Sequence, residues 1–270
     1  MLFLMLGGLE IRGAEKRVAL TAPKQRAILA ALLLDANHGV SISRLVRFVW
    51  DDRPPATAQT TIQSYIYRLR QVLRPLAVEI RTSNDCYALE VRPEEIDLWH
   101  FRQRAAEAHA NAARGRLDES VPRFRKALAL WRGRALSSVP GELVRQEARL
   151  LEAERIAAYE ELFYAEIRLG NHRQIIPELQ KVVSADPFHE SLRALLMLSL
   201  YSSGRQAEAL QQFAQARQRL RDDLGIEPGQ ELQELHRSVL EQQAPEEIIA
   251  SRFGAWHAAA HDRHQAPLMR

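Results

Sequence analysis

Cysteine is nearly missing: Cys86 is the single one in 270 residues, so no intrachain disulfide can form and a reducing compartment is expected. With no second thiol to resolve an oxidised form, Cys86 reads as a small residue near a turn and not as a redox sensor. Long apolar runs are lacking too. The opening LFLMLGGL is too short to cross a bilayer and has no basic leader, so neither an anchor nor a signal peptide is expected, no membrane partner is expected, and the protein should stay inside the cell. There is no Gly-x-x-x-x-Gly-Lys-Ser/Thr phosphate loop, no Gly-x-Ser-x-Gly elbow, no His-Glu-x-x-His helix and no paired-cysteine motif. An enzyme is therefore not expected, and no cofactor or metal either. The nearest approach to a ligand cluster is His257, His261 and His264, set in AWHAAAHDRHQAP near the C-terminus. That segment has little apolar periodicity and reads as a flexible or weakly helical tail. His100, His109, His172, His189 and His236 lie scattered among helices with no triad around them.

Net charge is low at +3, but it is unevenly placed. Residues 1–92 carry 13 Lys/Arg against 8 Asp/Glu, residues 93–243 carry 21 against 23, and residues 244–270 carry 3 of each. Only the first segment has the sign that a polyanion favours, and the moderate excess implies few phosphate contacts per protomer. The length suits two domains, each able to bury a core.

The most informative stretch is TTIQSYIYRLRQVLR, Thr60 to Arg74. At 100° per residue, Ile62, Tyr65, Ile66, Leu69, Val72 and Leu73 form one stripe, while Thr60, Gln63, Ser64, Tyr67, Gln71 and Arg74 fall opposite, flanked by Arg68 and Arg70. Uncharged hydrogen-bonding groups early and arginines late suit base edges and phosphates. On the stripe alone, an ordinary amphipathic helix with cations at its C-terminal end remains open.

Its neighbours add context. Residues 2–20 read as short strands broken at Gly7-Gly8 and near Gly13. Thr21 and Pro23 open a helix expected to run to a stop at Gly39, and Ser41 or Ser43 caps a second helix, Leu45 to Trp50. Residues 51–56, DDRPPA, must turn because Pro54 and Pro55 cannot continue a helix, and Pro75 ends the two-faced helix. Val78 to Thr82 and Tyr87 to Val91 then bracket a hairpin. Strands, three helices and a hairpin, in that order, make a winged helix-turn-helix (α+β), whose third helix enters the major groove.

Further on, GNHRQIIPELQKV (170–182) repeats as GRQAEALQQFAQA (204–216), an offset of 34 residues that is the tetratricopeptide period. A weaker copy, GRLDESVPRFRKAL (115–128), lies 55 residues before the first and places Pro122 on Pro177. An insertion lengthens that repeat. Helix pairs of this kind stack into a curved surface that binds other proteins or oligomerises, with Trp99, Phe124, Trp131, Tyr159, Phe163 and Tyr164 as candidate core. The fold class is thus mainly α, with an N-terminal winged helix at 1–92, an all-α tetratricopeptide-like helical array at 93–243 and a tail at 244–270.

The runs APKQRAILAALLL (22–34), SISRLVRFVWDDRPPATAQTTIQSYIYRLRQVL (41–73) and IRTSNDCYALEV (80–91) resemble the DNA-binding domain of SARP-type activators, regulators of secondary-metabolite (antibiotic) gene clusters with an OmpR-like winged helix. Residues 97–108, 150–172, 186–213 and 224–240 resemble the bacterial transcriptional activation domain that follows in that family, and without a phosphate loop the nucleotide-binding domain of its longer members is not expected. One departure is Asn84-Asp85-Cys86, where the family commonly has Pro or Gly before the aromatic. The resemblance implies two protomers on tandem direct repeats in double-stranded DNA near a promoter, and contact with RNA polymerase holoenzyme through Asp51, Asp52 and Arg53 or the helical array.

On this reading Thr60, Gln63, Ser64 and Tyr67 face base edges, with Arg68 placed for a guanine or a phosphate and Thr61 and Gln71 as further DNA-binding candidates. Arg70, Arg74, Arg81, Thr82, Ser83 and Asn84 hold the backbone, and Lys24 and Ser41, at helix starts, add phosphate contacts. Two rivals stand beside it: a protein-binding scaffold without DNA readout, and a metal-dependent hydrolase built on the tail histidines.

Overall fold

The structure is a computed structural model that describes residues 2–13 and 17–251. Packing divides it into two compact units, Met1–Tyr159 and Glu160–Arg270. The expected tail histidines His257, His261 and His264 lie outside the described residues.

In the first unit, β1 (Phe3–Leu4), β2 (Glu10–Arg12) and β3 (Arg17–Val18) form a small antiparallel sheet with Phe3 opposite Ile11 and Ile11 opposite Val18. Helix α1 (Pro23–Leu34) starts with proline in its first turn, where a missing N–H costs nothing. It stops five residues short of the expected Gly39. The chain turns at Asn37, whose φ is +66°, and the Asn37 side chain donates to Val91 O (2.9 Å) and accepts from Val91 N (3.1 Å). Asparagine tolerates this backbone, and its side chain is held by Val91, so the chain turns here and not at the glycine.

Ser41 does cap α2 (Ile42–Trp50), accepting from Arg44 N at 3.2 Å. Val40–Ser41 also forms an unforeseen strand, β4, with Val40 opposite Tyr87 and Ser41 opposite Cys86. Helix α3 spans Ala58–Leu73, and Arg74–Leu76 continue as a single 3-10 turn through Pro75. The hairpin consists of β5 (Glu79–Ser83) and β6 (Cys86–Glu90), joined by Asn84-Asp85 with Asn84 at φ +49°. The sheet order β4-β6-β5 leaves β5 at the edge. Ile28, Leu29, Leu32, Leu45, Phe48, Ile62, Ile66, Leu69, Leu73, Ile80 and Leu89 are buried together, so three helices and the hairpin share one core.

The first unit continues through α4 (Asp97–Ala113), α5 (Leu117–Leu128) and the start of α6 (Glu142–Arg168). Buried Asp97, in the first turn of α4, accepts from Met5 N (2.8 Å) and Leu6 N (3.1 Å), with the Arg132 guanidinium 3.7 Å away. The return bonds run from Arg132 N to Leu6 O (2.8 Å) and from Leu136 N to Met5 O (3.1 Å). Burial pushes the Asp97 carboxyl above its ordinary value, against the amide bonds from Met5 and Leu6 and the charge of Arg132. Trp131 packs edge-on to Phe101 at 5.4 Å beneath the Arg155 guanidinium.

In the second unit, the end of α6 is followed by α7 (His172–Ala185), α8 (Glu190–Ser202), α9 (Gln206–Arg219) and α10 (Gln230–Leu240). Helix α8 packs on α7, α9 and α10, and is buried from Leu192 to Leu200. Helices α5, α7 and α9 start at Leu117, His172 and Gln206, which reproduces the 55- and 34-residue offsets, and Pro122 and Pro177 each stand sixth in their helix. Gly115, Gly170 and Gly204 precede these helices at φ +76°, +80° and +79° with open space where a Cβ would stand, so the backbone angle alone explains the glycines. Of the expected core aromatics, Phe124, Trp131, Phe163 and Tyr164 are buried, and Trp99 and Tyr159 half-buried.

Candidate nucleic-acid interface

Helix α3 has 16 residues and is therefore about 24 Å long. Ile62, Ile66, Leu69 and Leu73 are buried and Tyr65 and Val72 half-buried, whereas Thr60, Gln63, Ser64, Tyr67, Arg68, Gln71 and Arg74 are exposed. Tyr67 exposes 64% of its surface, unusual for a ring on a folded helix. No acidic residue occurs in α3, so the exposed face carries nothing that repels phosphate.

Hydrogen bonding sorts the polar face into spent and unspent groups. Thr61, half-buried, donates its hydroxyl to Thr57 O at 2.8 Å, and Ser64 donates to Thr60 O at 3.2 Å, leaving both only as acceptors toward a ligand. Gln63, Tyr67, Arg68, Gln71 and Arg74 have no side-chain partner among the described residues. A free amide on one ridge and a free guanidinium on the next are the groups that pair bidentately with adenine and guanine.

Arg70 is different. Its Nε and Nη2 donate to Ile80 O at 3.0 and 2.7 Å, Nη2 also donates to Thr82 Oγ1 at 2.6 Å, and the guanidinium lies 6.0 Å from the Tyr87 ring centre. Arg70, expected to hold the DNA backbone, has its Nε and Nη2 donors turned onto the hairpin in the free protein. Arg81 pairs across the hairpin with Glu90 at 2.8 Å, and Ser83 and Asn84 are exposed at the tip. Lys24, exposed at the start of α1, sits 4.9 Å over the Trp50 ring. The Ser41 hydroxyl caps α2 and lies 2.9 Å from Ser43 Oγ.

The expected polymerase loop also divides. Asp51 Oδ1 accepts from Glu142 N (2.9 Å) and Leu143 N (3.3 Å), capping α6 from a distant part of the chain, so Asp51 is occupied in the structure while Asp52 and Arg53 are exposed. Its φ of +52° and its separation from Glu142 along the chain left no signature in the sequence. Among the described residues there is no group of three His, Cys, Asp or Glu able to hold a metal ion, and no helix long and apolar enough to cross a membrane.

Three helices, a short N-terminal sheet and a hairpin beside an exposed, arginine-bearing third helix define a winged-helix DNA-binding regulator, here joined to a helical array. Comparison with known proteins agrees: residues 15–85 match the family described as "Transcriptional regulatory protein, C terminal" and residues 96–240 match "Bacterial transcriptional activator domain". The chain belongs to the SARP-type regulators, which combine these two domains. It is 35% identical to the regulatory protein DnrI of Streptomyces peucetius over 87% of this chain and 90% of that one. Against the regulatory protein AfsR of Streptomyces griseus it is 35% identical over 91% of this chain, which is only 25% of AfsR. A solved structure, Mycobacterium tuberculosis EmbR in complex with a low-affinity phosphopeptide, superposes with a TM-score of 0.85 at 29% identity, covering 95% of this chain and 70% of that one. The family matches part near residue 90, whereas packing parts the chain after Tyr159.

Proposed function

We propose that the chain activates transcription of a secondary-metabolite (antibiotic) biosynthesis gene cluster, binding as a homodimer to tandem direct repeats near a promoter and recruiting RNA polymerase holoenzyme. The observation that carries the DNA half is the exposed, acid-free face of α3, with Gln63, Tyr67, Arg68 and Gln71 unspent. An α-helix fits the major groove, which is about 12 Å wide. For two protomers to lie on one DNA face, the repeats stand one helical turn apart, about 10–10.5 bp. Exposed Asp52 and Arg53 remain the loop candidates for polymerase contact, beside the helical array. The protein acts inside the cell on the chromosome.

Selection from a random duplex pool by the 270-residue chain tests this. The expected product is one short motif present twice at helical-turn spacing, whose insertion upstream of a core promoter raises transcription by purified holoenzyme. Recovery of unrelated sequences with equal affinity supports the scaffold instead. A single enriched motif without stimulation retains DNA binding and removes activation.

A further inference from the structure

Helix α3 and the hairpin are separate elements that a single side chain ties together. Strand β5 is the edge of its sheet, so no further strand stands beyond it to bond its carbonyls. The Arg70 fork takes the carbonyl of Ile80 with two donors, and a third bond fixes Thr82 two residues on. Tyr87, on the partner strand β6 and opposite Thr82 in register, lies under the same guanidinium. A rigid planar fork with this many acceptors has a single arrangement, whereas a lysine or an exposed ion pair would leave the hairpin free to swing.

The other edge of the sheet is fixed independently. β4 pairs with β6, Asp85 O at the hairpin tip accepts from Ile42 N at 2.9 Å, and Asn37 grips Val91 at the hairpin's end. Only the β5 side depends on α3, and Arg70 is its polar link.

We infer that Arg70 is a positioning residue that clamps the wing to the recognition helix, so that base contacts from α3 and backbone contacts from the hairpin are made in one fixed register. Arg70 touches no DNA in this account. It acts through the placement of Arg81, Ser83 and Asn84. The inference rests on the DNA reading for its consequence, while the clamp itself is a property of the free protein.

Two measurements on the full chain test it. In the absence of DNA, Arg70→Ala should raise hydrogen exchange at Glu79–Ser83 while α3 stays protected, and Thr82→Val, which keeps the fork on Ile80, should raise it less. With a selected duplex, Arg70→Ala should lower affinity about tenfold for all sequences alike, without changing base preference. Hydroxyl-radical protection should be lost beside the wing and kept in the groove. Arg70→Lys should fall between, and adding Arg81→Ala to Arg70→Ala should cost far less than it does alone, because a displaced wing no longer offers Arg81 to the backbone. Unchanged exchange in β5 overturns the clamp. Additive Arg70 and Arg81 effects with the wing footprint intact overturn it also, and make Arg70 a direct phosphate ligand. If the unaltered chain binds no duplex, the DNA reading fails by itself and the exchange result still decides the clamp.

Discussion

Arg68 and Arg70 stand two positions apart on α3 and do opposite things. The Arg68 guanidinium is exposed with no side-chain partner among the described residues, and that of Arg70 is bonded to the hairpin. Helical periodicity placed both on the flanks of the polar face but could not tell them apart, because the partner of Arg70 is a backbone carbonyl whose position depends on the folded wing. The division predicts different variants. Arg68→Ala should flatten preference at one base pair, costing about 1–3 kcal/mol on the preferred sequence and little elsewhere. Arg81→Ala should weaken all sequences together and reduce the salt slope by about one. Binding titrations over a range of salt on the preferred and a scrambled duplex separate the two. Equal losses on both duplexes for Arg68→Ala would remove it from base reading.

At the level of elements, the sequence was legible wherever local chemistry decides. The apolar stripe of α3, the Ser41 cap, the hairpin between Thr82 and Tyr87, and the 34-residue offset of α7 and α9 all arise from neighbours in the chain. What stayed hidden depends on residues far apart: β4 pairing with β6, the Asn37 grip on Val91, and Asp51 capping α6 across 91 residues. Asp97 is another such case, since nothing local indicates that a carboxylate opening α4 receives two amides from the segment after β1. Its pH behaviour follows from burial. The folded-state pKa lies above the ordinary 3.8, so the folded form holds the proton more tightly than the unfolded chain. The stability this contributes is complete below that ordinary value and is lost as pH rises through the raised one. Asp97→Asn removes the titration and sets an NH2 donor against one of the two amides, costing about 1–3 kcal/mol at low pH. Urea unfolding across the acid range should show the difference between wild type and Asp97→Asn shrinking as pH rises through that window. A constant difference contradicts the buried-carboxylate account.

For the molecule as a whole, sequence resemblance and packing divide the chain differently. Charge and family pattern part the chain near residue 92, yet Met5, Leu6 and Leu9 of the N-terminal segment bond to Asp97, Arg132, Leu136 and Ser138. The winged helix is therefore one unit with α4, α5 and the start of α6. A fragment of residues 1–159 should unfold cooperatively and resist proteolysis. One of residues 1–92 strands several backbone groups and its apolar N-terminal strands, and should be cut within β1 and β2 under the same conditions. Equal resistance of the two would make the domain boundary a packing boundary as well.

The central claim is that the polar face of α3 lies against bases. A photo-crosslinking amino acid substituted for Tyr67 in the full chain, irradiated on a selected duplex labelled at each position in turn, measures this most directly. The account predicts crosslinks to bases within one half-site, at the same offset in both repeats. Crosslinks confined to protein, or spread evenly over duplexes of any sequence, would contradict it.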